Sequence, residues 1–314
     1  MRVVFLGSQE IGARCLEVVL AGGHDVVGVG AFEPGPHEQW TDDVTRILQE
    51  RDLPRVRGRR FRTPKALDEL RALRPDILFA IGWRWILPAE VLAIPSKGCL
   101  GIHGTLLPKG RGFAPVNWPL IRDEPRTGPT LFYFDDGTDT GDVVGQMPFD
   151  LTDDDDAATV RRRLADASVA LLERELPGLA AGTAPRIAQS SEGATYGPRR
   201  RPEDGGIDWH AMARETFNWV RGLTRPYPGA FTFLGERRVS IWKVRVVPGL
   251  GPGPGFLVRE DLERLVVGSG PGTVEILDAS FDGDQSSDAL ARVAAEARLL
   301  GRFRTGAPAE RGPA

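Results

Sequence analysis

Residues 1–12 read MRVVFLGSQEIG. Arg2 to Leu6 is a short apolar run of strand-forming residues, Gly7-Ser8 interrupts it, and Ile11, Cys15, Leu16 and Val19 then recur at helical spacing. A buried strand, a tight glycine turn and a helix in that order open an α/β chain, and because glycine interrupts the apolar run early, no secretory leader is expected. The same alternation continues outward. Residues 25–29 form a second apolar run closed by Glu33-Pro34-Gly35-Pro36. Helical runs follow at 42–51 and 64–73, with β-like Val56 between them, and 76–80 (DILFA) and 99–102 (CLGI) are continuous apolar strands. Apolar strands alternating with helices imply a mostly parallel, Rossmann-like sheet covered on both faces. Ligands of such sheets bind outside the carboxyl ends of the strands.

The second half has a different texture. TLFYFD (130–135) alternates β-formers, and four aspartates, Asp153 to Asp156, precede a helix predicted over 157–176, where carboxylates favour the exposed amides and the macrodipole. Residues 178–204 turn to Ala, Gly, Pro, Ser and Arg without periodicity and read as a connection. A helix over 209–222 and short strands at 231–247, 255–258, 265–267 and 273–277 then predict a smaller β-barrel of the oligonucleotide-binding type. The 314 residues are therefore expected to divide into an α/β domain (1–190), a linker (191–206), a helix plus barrel (207–305) and a disordered tail (306–314). A net charge of −3 gives no global reason to expect nucleic acid or an anionic membrane as partner. With no apolar run near about 18 residues, the chain is expected to be cytoplasmic and free of membrane spans. Cys15 and Cys99, each among Leu, Val and Ile, read as buried thiols that build neither a disulfide framework nor a zinc site.

Four histidines occur. His24 lies beside Gly22-Gly23, His37 in a proline-rich loop and His210 near a helix start. His103 follows CLGI directly and precedes the loop GTLLPKGRG, at the carboxyl end of a strand, where a functional and a satisfied structural histidine are both accommodated. Downstream, DDGTDTGD (135–142) crowds four carboxylates around two glycines without the spacing or terminal glutamate of an EF-hand. On these residues alone, a solvated turn stays open beside a loop that wraps a polar heteroaromatic ligand and delivers one aspartate to a histidine.

The two segments taken together narrow the choice. GCLGIHGTLLPKGRGFAPVNWPLI (98–121) followed by TGPTLFYFDDGTDTGDVV (127–144) resembles the core of the 10-formyltetrahydrofolate-dependent formyltransferases. The likeness continues through TYGPRRRPEDGGIDW (195–209) and NWVRGLTRPYPGAFTFLGERRVSIWKV (218–244), which look like the junction and C-terminal domain of the members acting on tRNA and on sugar nucleotides. The family motif Asn-x-His-x-Ser-Leu-Leu-Pro, with a distant Asp-x-Gly, falls on His103, on Thr105 at the Ser position, on Leu106-Leu107-Pro108 and on Asp139 with Gly141. Gly101 stands where the family has asparagine.

The resemblance implies that a substrate amine attacks the formyl carbon of the folate while the asparagine and histidine donate hydrogen bonds to the oxyanion. Asp139 would hold the His103 imidazole and help take up the amine's proton. Loss of one such donor costs about 2.7–4 kcal/mol. A backbone N–H at Gly101 or Gly104, the Asn117 amide, Thr105 or water is expected to replace it, and Gly101→Asn is expected to leave or raise turnover. Altered chemistry, such as formyl-folate hydrolysis, and a non-catalytic folate or nucleotide binder stay open as alternatives. The co-substrate 10-formyltetrahydrofolate would lie between Trp83-Arg84-Trp85-Ile86-Leu87 and the loop holding Asp136, Gly137 and Thr138, mainly on backbone groups. At least one of Trp83 and Trp85 is expected to pack in the core.

For the acceptor, the resemblance is nearest to the sugar-nucleotide members across PKGRGFAPVNW (108–118), with Ser8, Thr105, Arg111 and Asn117 as expected substrate contacts. The tRNA members carry a basic insertion near Phe32 to Gln39, and this stretch is acidic and short here. From Gly205 onward there are 14 Lys and Arg against 13 Asp and Glu, which gives little attraction for a phosphate backbone. The expected acceptor is thus the amine of a small molecule, a nucleotide-linked amino sugar or an amino-acid derivative, with tRNA disfavoured. The oligomeric state stays open, a homodimer included.

Overall fold

The structure, a computed structural model, describes residues 1–32, 43–58, 61–258 and 264–305. The 33–39 stretch with His37, on which the comparison with the tRNA members turned, and the tail 306–314 lie outside the described residues.

In chain order the elements are β1 (Arg2–Gly7), α1 (Gln9–Ala21), β2 (Asp25–Ala31), α2 (Asp43–Glu50), α3 (Pro64–Ala72), β3 (Ile77–Ile81), α4 (Ala89–Leu92), β4 (Cys99–His103), β5 (Arg111–Gly112), α5 (Asn117–Ile121), β6 (Arg126–Thr127), β7 (Thr130–Tyr133), β8 (Val143–Gln146), β9 (Phe149–Asp150), α6 (Ala157–Ala181) and β10 (Tyr196–Gly197). The chain then continues through α7 (Ala213–Leu223), β11 (Ala230–Leu234), β12 (Arg237–Val247), β13 (Val266–Ser269), β14 (Gly272–Phe281) and α8 (Ala289–Leu300). It divides into two compact units. Met1–Pro115, Arg126–Asp150 and Arg162–Gly197 form the first, and Val116–Pro125, Leu151–Arg161 and Pro198–Ala314 the second.

The first unit holds a six-stranded sheet of order β2-β1-β3-β4-β7-β8. Its first four strands are parallel, while β7 runs antiparallel to β4 and β8 antiparallel to β7. Strand residues alternate between two apolar layers. Val3, Phe5, Ile77, Phe79, Ile81 and Leu100 join α1, α2 and α6 residues on one face, and Val4, Leu6, Leu78, Ala80 and Cys99 join α3 and α4 residues on the other. Each such burial contributes about 1.5–3 kcal/mol, and a one-residue slip would place every side chain on the wrong face. This alternation places Gly101 and His103 on the face of Cys99. Helix α6 runs past the predicted end at 176 and through Pro177, because Leu176 and Leu179 both pack in the core.

The second unit is an antiparallel half-barrel of order β11-β12-β14-β13 with its own core around Trp209 and Phe303. The predicted helix at 209–222 starts only at Ala213. Trp209 serves instead as a fully buried anchor, its indole N–H donating to Thr232 Oγ1 at 2.9 Å, and Glu215 accepts from the Met212 N–H at the helix start. The predicted strand 231–247 is a hairpin turning at Gly235-Glu236, and residues 255–258 contribute only isolated bridges. Helix α8 was not predicted.

Segments 116–125 and 151–161 belong to this unit through a charge network. Arg214 donates to both Asp123 oxygens at 2.7 and 3.0 Å and to Asp153 at 2.6 Å, and Arg221 donates to the Thr152 carbonyl at 2.6 Å. Hydrogen bonding from Arg214 holds Asp123 below the usual carboxylate range. Asp156 accepts from the Thr159 N–H at the start of α6, the capping role expected of this acidic run. Among the described residues no helix is long and apolar enough to cross a membrane, and no group of His, Cys, Asp and Glu has the arrangement of a metal site.

Candidate active site

His103 ends β4 and is 8% exposed. Its Nε2 lies 2.8 Å from the Gly110 carbonyl, which can only accept, so this nitrogen carries a proton. Its Nδ1 lies 3.5 Å from Asp139 Oδ2. The structure thus brings together two side chains 36 residues apart, one from a strand end and one from the β7–β8 loop. The same Asp139 oxygen accepts from the Gly112 N–H at 2.7 Å. Gly112 has φ +92°, and a β-carbon there would press on the Gly197 carbonyl, so the chain needs glycine to present this amide.

The four carboxylates of the β7–β8 loop have separate tasks. Asp135 accepts from the Gly137 N–H at 3.0 Å and the Thr140 hydroxyl at 2.7 Å, which shapes the loop. Asp142 pairs with Arg186 at 3.3 Å. Asp136 is exposed with Gly137 and Thr138, and Asp139, at φ +54°, turns toward His103. Asp and Asn tolerate that left-handed conformation better than most residues.

At position 101 the structure revises the expectation. The ring of Phe134 fills the space into which a β-carbon on Gly101 would project, with Cε1 and Cζ both far inside van der Waals contact and the Ala80 carbonyl 3.1 Å away. An asparagine therefore does not fit beside Phe134 as it stands, and Gly101→Asn is no simple restoration.

The other predicted residues fall into two groups. Trp83 and Trp85 stack edge to face at 5.0 Å, both touch Phe32, and the buried Trp83 indole N–H has no hydrogen-bond partner among the described residues. Ile86 is 84% exposed and Leu87 is buried. Ser8, Thr105, Arg111 and Asn117 are all buried and already bonded within the protein. The Ser8 hydroxyl donates to the Gly82 carbonyl at 2.8 Å, and Thr105 Oγ1 to the Lys109 carbonyl at 2.7 Å. The Asn117 amide donates at 2.6 Å to the Gly222 carbonyl inside the second unit. Arg111 donates to Gln189 Oε1 from Nε at 3.1 Å and Nη2 at 2.8 Å, and to the Tyr196 hydroxyl from Nη1 at 3.2 Å.

Sequence reasoning passed over Gln189, Thr195 and Tyr196. Thr195 accepts the Gly110 N–H on its hydroxyl at 2.8 Å, and β10 pairs with β5 beside the Asp139 contact. The resemblance across TYGPRRRPEDGGIDW covers Thr195 and Tyr196 without giving either side chain a role, and no sequence feature singles out Gln189.

A family model described as "Formyl transferase" matches residues 1–176, and one described as "Formyl transferase, C-terminal domain" matches residues 200–294. The chain belongs to the formyl transferase family. This formyltransferase is 34% identical over 287 residues to the methionyl-tRNA formyltransferase of Geobacter sulfurreducens, with 90% of each chain covered. Its fold is similar to that of an N-formyltransferase from Helicobacter canadensis solved with folinic acid and dTDP-3-aminofucose (TM-score 0.72, 17% identity, 89% of this chain and 99% of that one). It is also similar to WlaRD, a sugar 3N-formyl transferase (TM-score 0.68, 17% identity, 90% and 98% covered). At these identities the two solved structures speak for the fold.

Proposed function

We propose that this formyltransferase moves a formyl group from 10-formyltetrahydrofolate to the amine of a small molecule, a nucleotide-linked amino sugar or an amino-acid derivative, with His103 and Asp139 at the reacting centre. Formyltetrahydrofolate is the formyl donor of this family. The observation that carries the reading is the approach of the His103 imidazole to the Asp139 carboxylate at 3.5 Å beside the end of β4.

The residues present fit a reduced pterin. The buried Trp83 indole N–H, without a partner among the described residues, lies beside Trp85 and suits a flat heterocycle with acceptor atoms, and the exposed 136–138 stretch offers backbone groups. When bound, the folate supplies the electrophilic one-carbon group. His103 then acts as hydrogen-bond donor to the formyl oxygen as negative charge develops there, exchanging the Gly110 carbonyl for it. Asp139 orients the ring, accepts the proton that leaves the attacking amine, directly or through water, and returns it to the folate nitrogen released as the bond between that nitrogen and the formyl carbon breaks. The Thr105 hydroxyl and Asn117 amide already donate elsewhere, so of the donors considered for the missing amide, the backbone N–H of Gly104 and water suit the role best.

For the acceptor, Phe113 and Tyr196, 55% and 53% exposed, flank the Gly112 contact and give a surface suited to a ring-bearing small molecule. Arg111 is buried against Gln189, so a phosphate contact there would have to displace that pairing. The 34% identity to a methionyl-tRNA formyltransferase favours tRNA as a second reading. The test is incubation with 10-formyltetrahydrofolate and a panel of nucleotide-linked amino sugars, hydroxyornithine and initiator methionyl-tRNA, read by mass spectrometry for a gain of one formyl group. Formylation of a small amine supports the first reading and of methionyl-tRNA alone the second. Release of formate without any acceptor replaces both with hydrolysis.

A further inference from the structure

Gln189 lies in a stretch without regular structure between α6 and β10. Its side-chain amide uses its full hydrogen-bonding capacity. Oε1 accepts from Arg111 Nε at 3.1 Å and Nη2 at 2.8 Å, while Nε2 donates to the carbonyls of Asp139 at 2.9 Å and Gly141 at 2.7 Å. Guanidinium only donates and backbone carbonyls only accept, so the amide has one workable orientation. Arg111 belongs to β5, one residue before the Gly112 N–H that binds Asp139, and it is held in turn by the Tyr196 hydroxyl. The amide therefore spans the segment that follows His103 and the loop that carries Asp139.

We propose that Gln189 is a positioning residue for formyl transfer, setting the distance between Asp139 and His103 by clamping the Asp139 and Gly141 carbonyls against Arg111. The inference rests on the reading of His103 and Asp139 as the reacting pair. Two features place the Asp139 backbone under its control. Asp139 sits at φ +54°, a conformation that persists where surroundings enforce it, and its carbonyl is one of the two that Gln189 holds. A displacement of about 1 Å in a catalytic group costs up to about 100-fold in rate.

Gln189→Glu separates the two halves of the clamp. A carboxylate still accepts from Arg111, but it faces the Asp139 and Gly141 carbonyls with an oxygen in place of a donor. The full-length variant is expected to stay folded by circular dichroism and to lose about 10- to 100-fold in kcat, with KM for 10-formyltetrahydrofolate changed by no more than about threefold. Gln189→Ala removes both halves and serves should the glutamate variant not fold. Placed on Asp139→Asn, which suits the same left-handed backbone, either change is expected to add less than about twofold, because the residue acts through Asp139.

A kcat within about twofold of wild type for a folded Gln189 variant overturns the proposal. So does a full additional loss on the Asp139→Asn background, which would mark a merely structural role. If Asp139→Asn itself turns over like wild type, the reading of the reacting pair fails, and the proposal about Gln189 fails with it for that separate, visible reason.

Discussion

The ring of Phe134 occupies the volume that a side chain on Gly101 would need. Both residues lie on the sheet face of Cys99, where Phe134 continues β7 and donates its N–H to the Cys99 carbonyl at 2.8 Å. Gly101 is thus half of a packing pair, and changing one member alone is penalised.

Gly101→Asn is expected to lower stability by about 1–3 kcal/mol through overpacking and to bring no gain in turnover. Adding Phe134→Leu removes the ε and ζ carbons that block the site while keeping atoms out to the δ position. The double variant is expected to regain stability and to turn over faster than the single one, with about 10²–10³-fold as the ceiling for one restored oxyanion donor. Thermal unfolding and kcat of the two variants decide it, and a Gly101→Asn protein as stable as wild type would show that the ring does not block.

Ser8→Ala and Asn117→Ala remove donors whose acceptors, the carbonyls of Gly82 and Gly222, are already engaged. Each is expected to lower the unfolding free energy by about 1–3 kcal/mol, since a buried acceptor is left unsatisfied. KM for both substrates should stay near wild type. A tenfold rise in KM with unchanged stability would return either residue to a substrate-contact role.

Burial pushes the thiols of Cys15 and Cys99 up to about 12. The thiolate is the reactive form, so at pH 8 the native protein is expected to react with a disulfide reagent at neither site and to release two equivalents once unfolded. Reaction should begin only as the pH rises toward about 12. Rapid labelling of a native thiol at pH 8 would contradict the buried placement.

Much of the first unit was legible because its strands are continuous apolar runs set between helices, and β1, β3 and β4 came out within a residue or two of their predicted limits. His103 stood out for the same reason, as a polar side chain directly after such a run. What was hidden depends on hydrogen bonds and volumes that leave no periodicity. Gln189 and Thr195 sit in a Gly, Ala and Ser stretch held by hydrogen bonds to Arg111 and Gly110, and local composition reads it as linker. Asn117 and Arg111 have the chemistry of ligand contacts, and only their partners Gly222 and Gln189 show where that chemistry is directed. The Phe134–Gly101 pair joins two strands 33 residues apart in sequence, and neither residue alone announces the other.

The proposed role of His103 and Asp139 is to carry formyl transfer. Its most direct test is the single-turnover rate of formyl transfer from 10-formyltetrahydrofolate, measured with the best acceptor from the panel, for wild type, His103→Ala and Asp139→Asn. Losses of about 10²–10⁴-fold in both variants, with folate still bound, are the predicted result. A rate within about twofold of wild type in either variant would contradict the account.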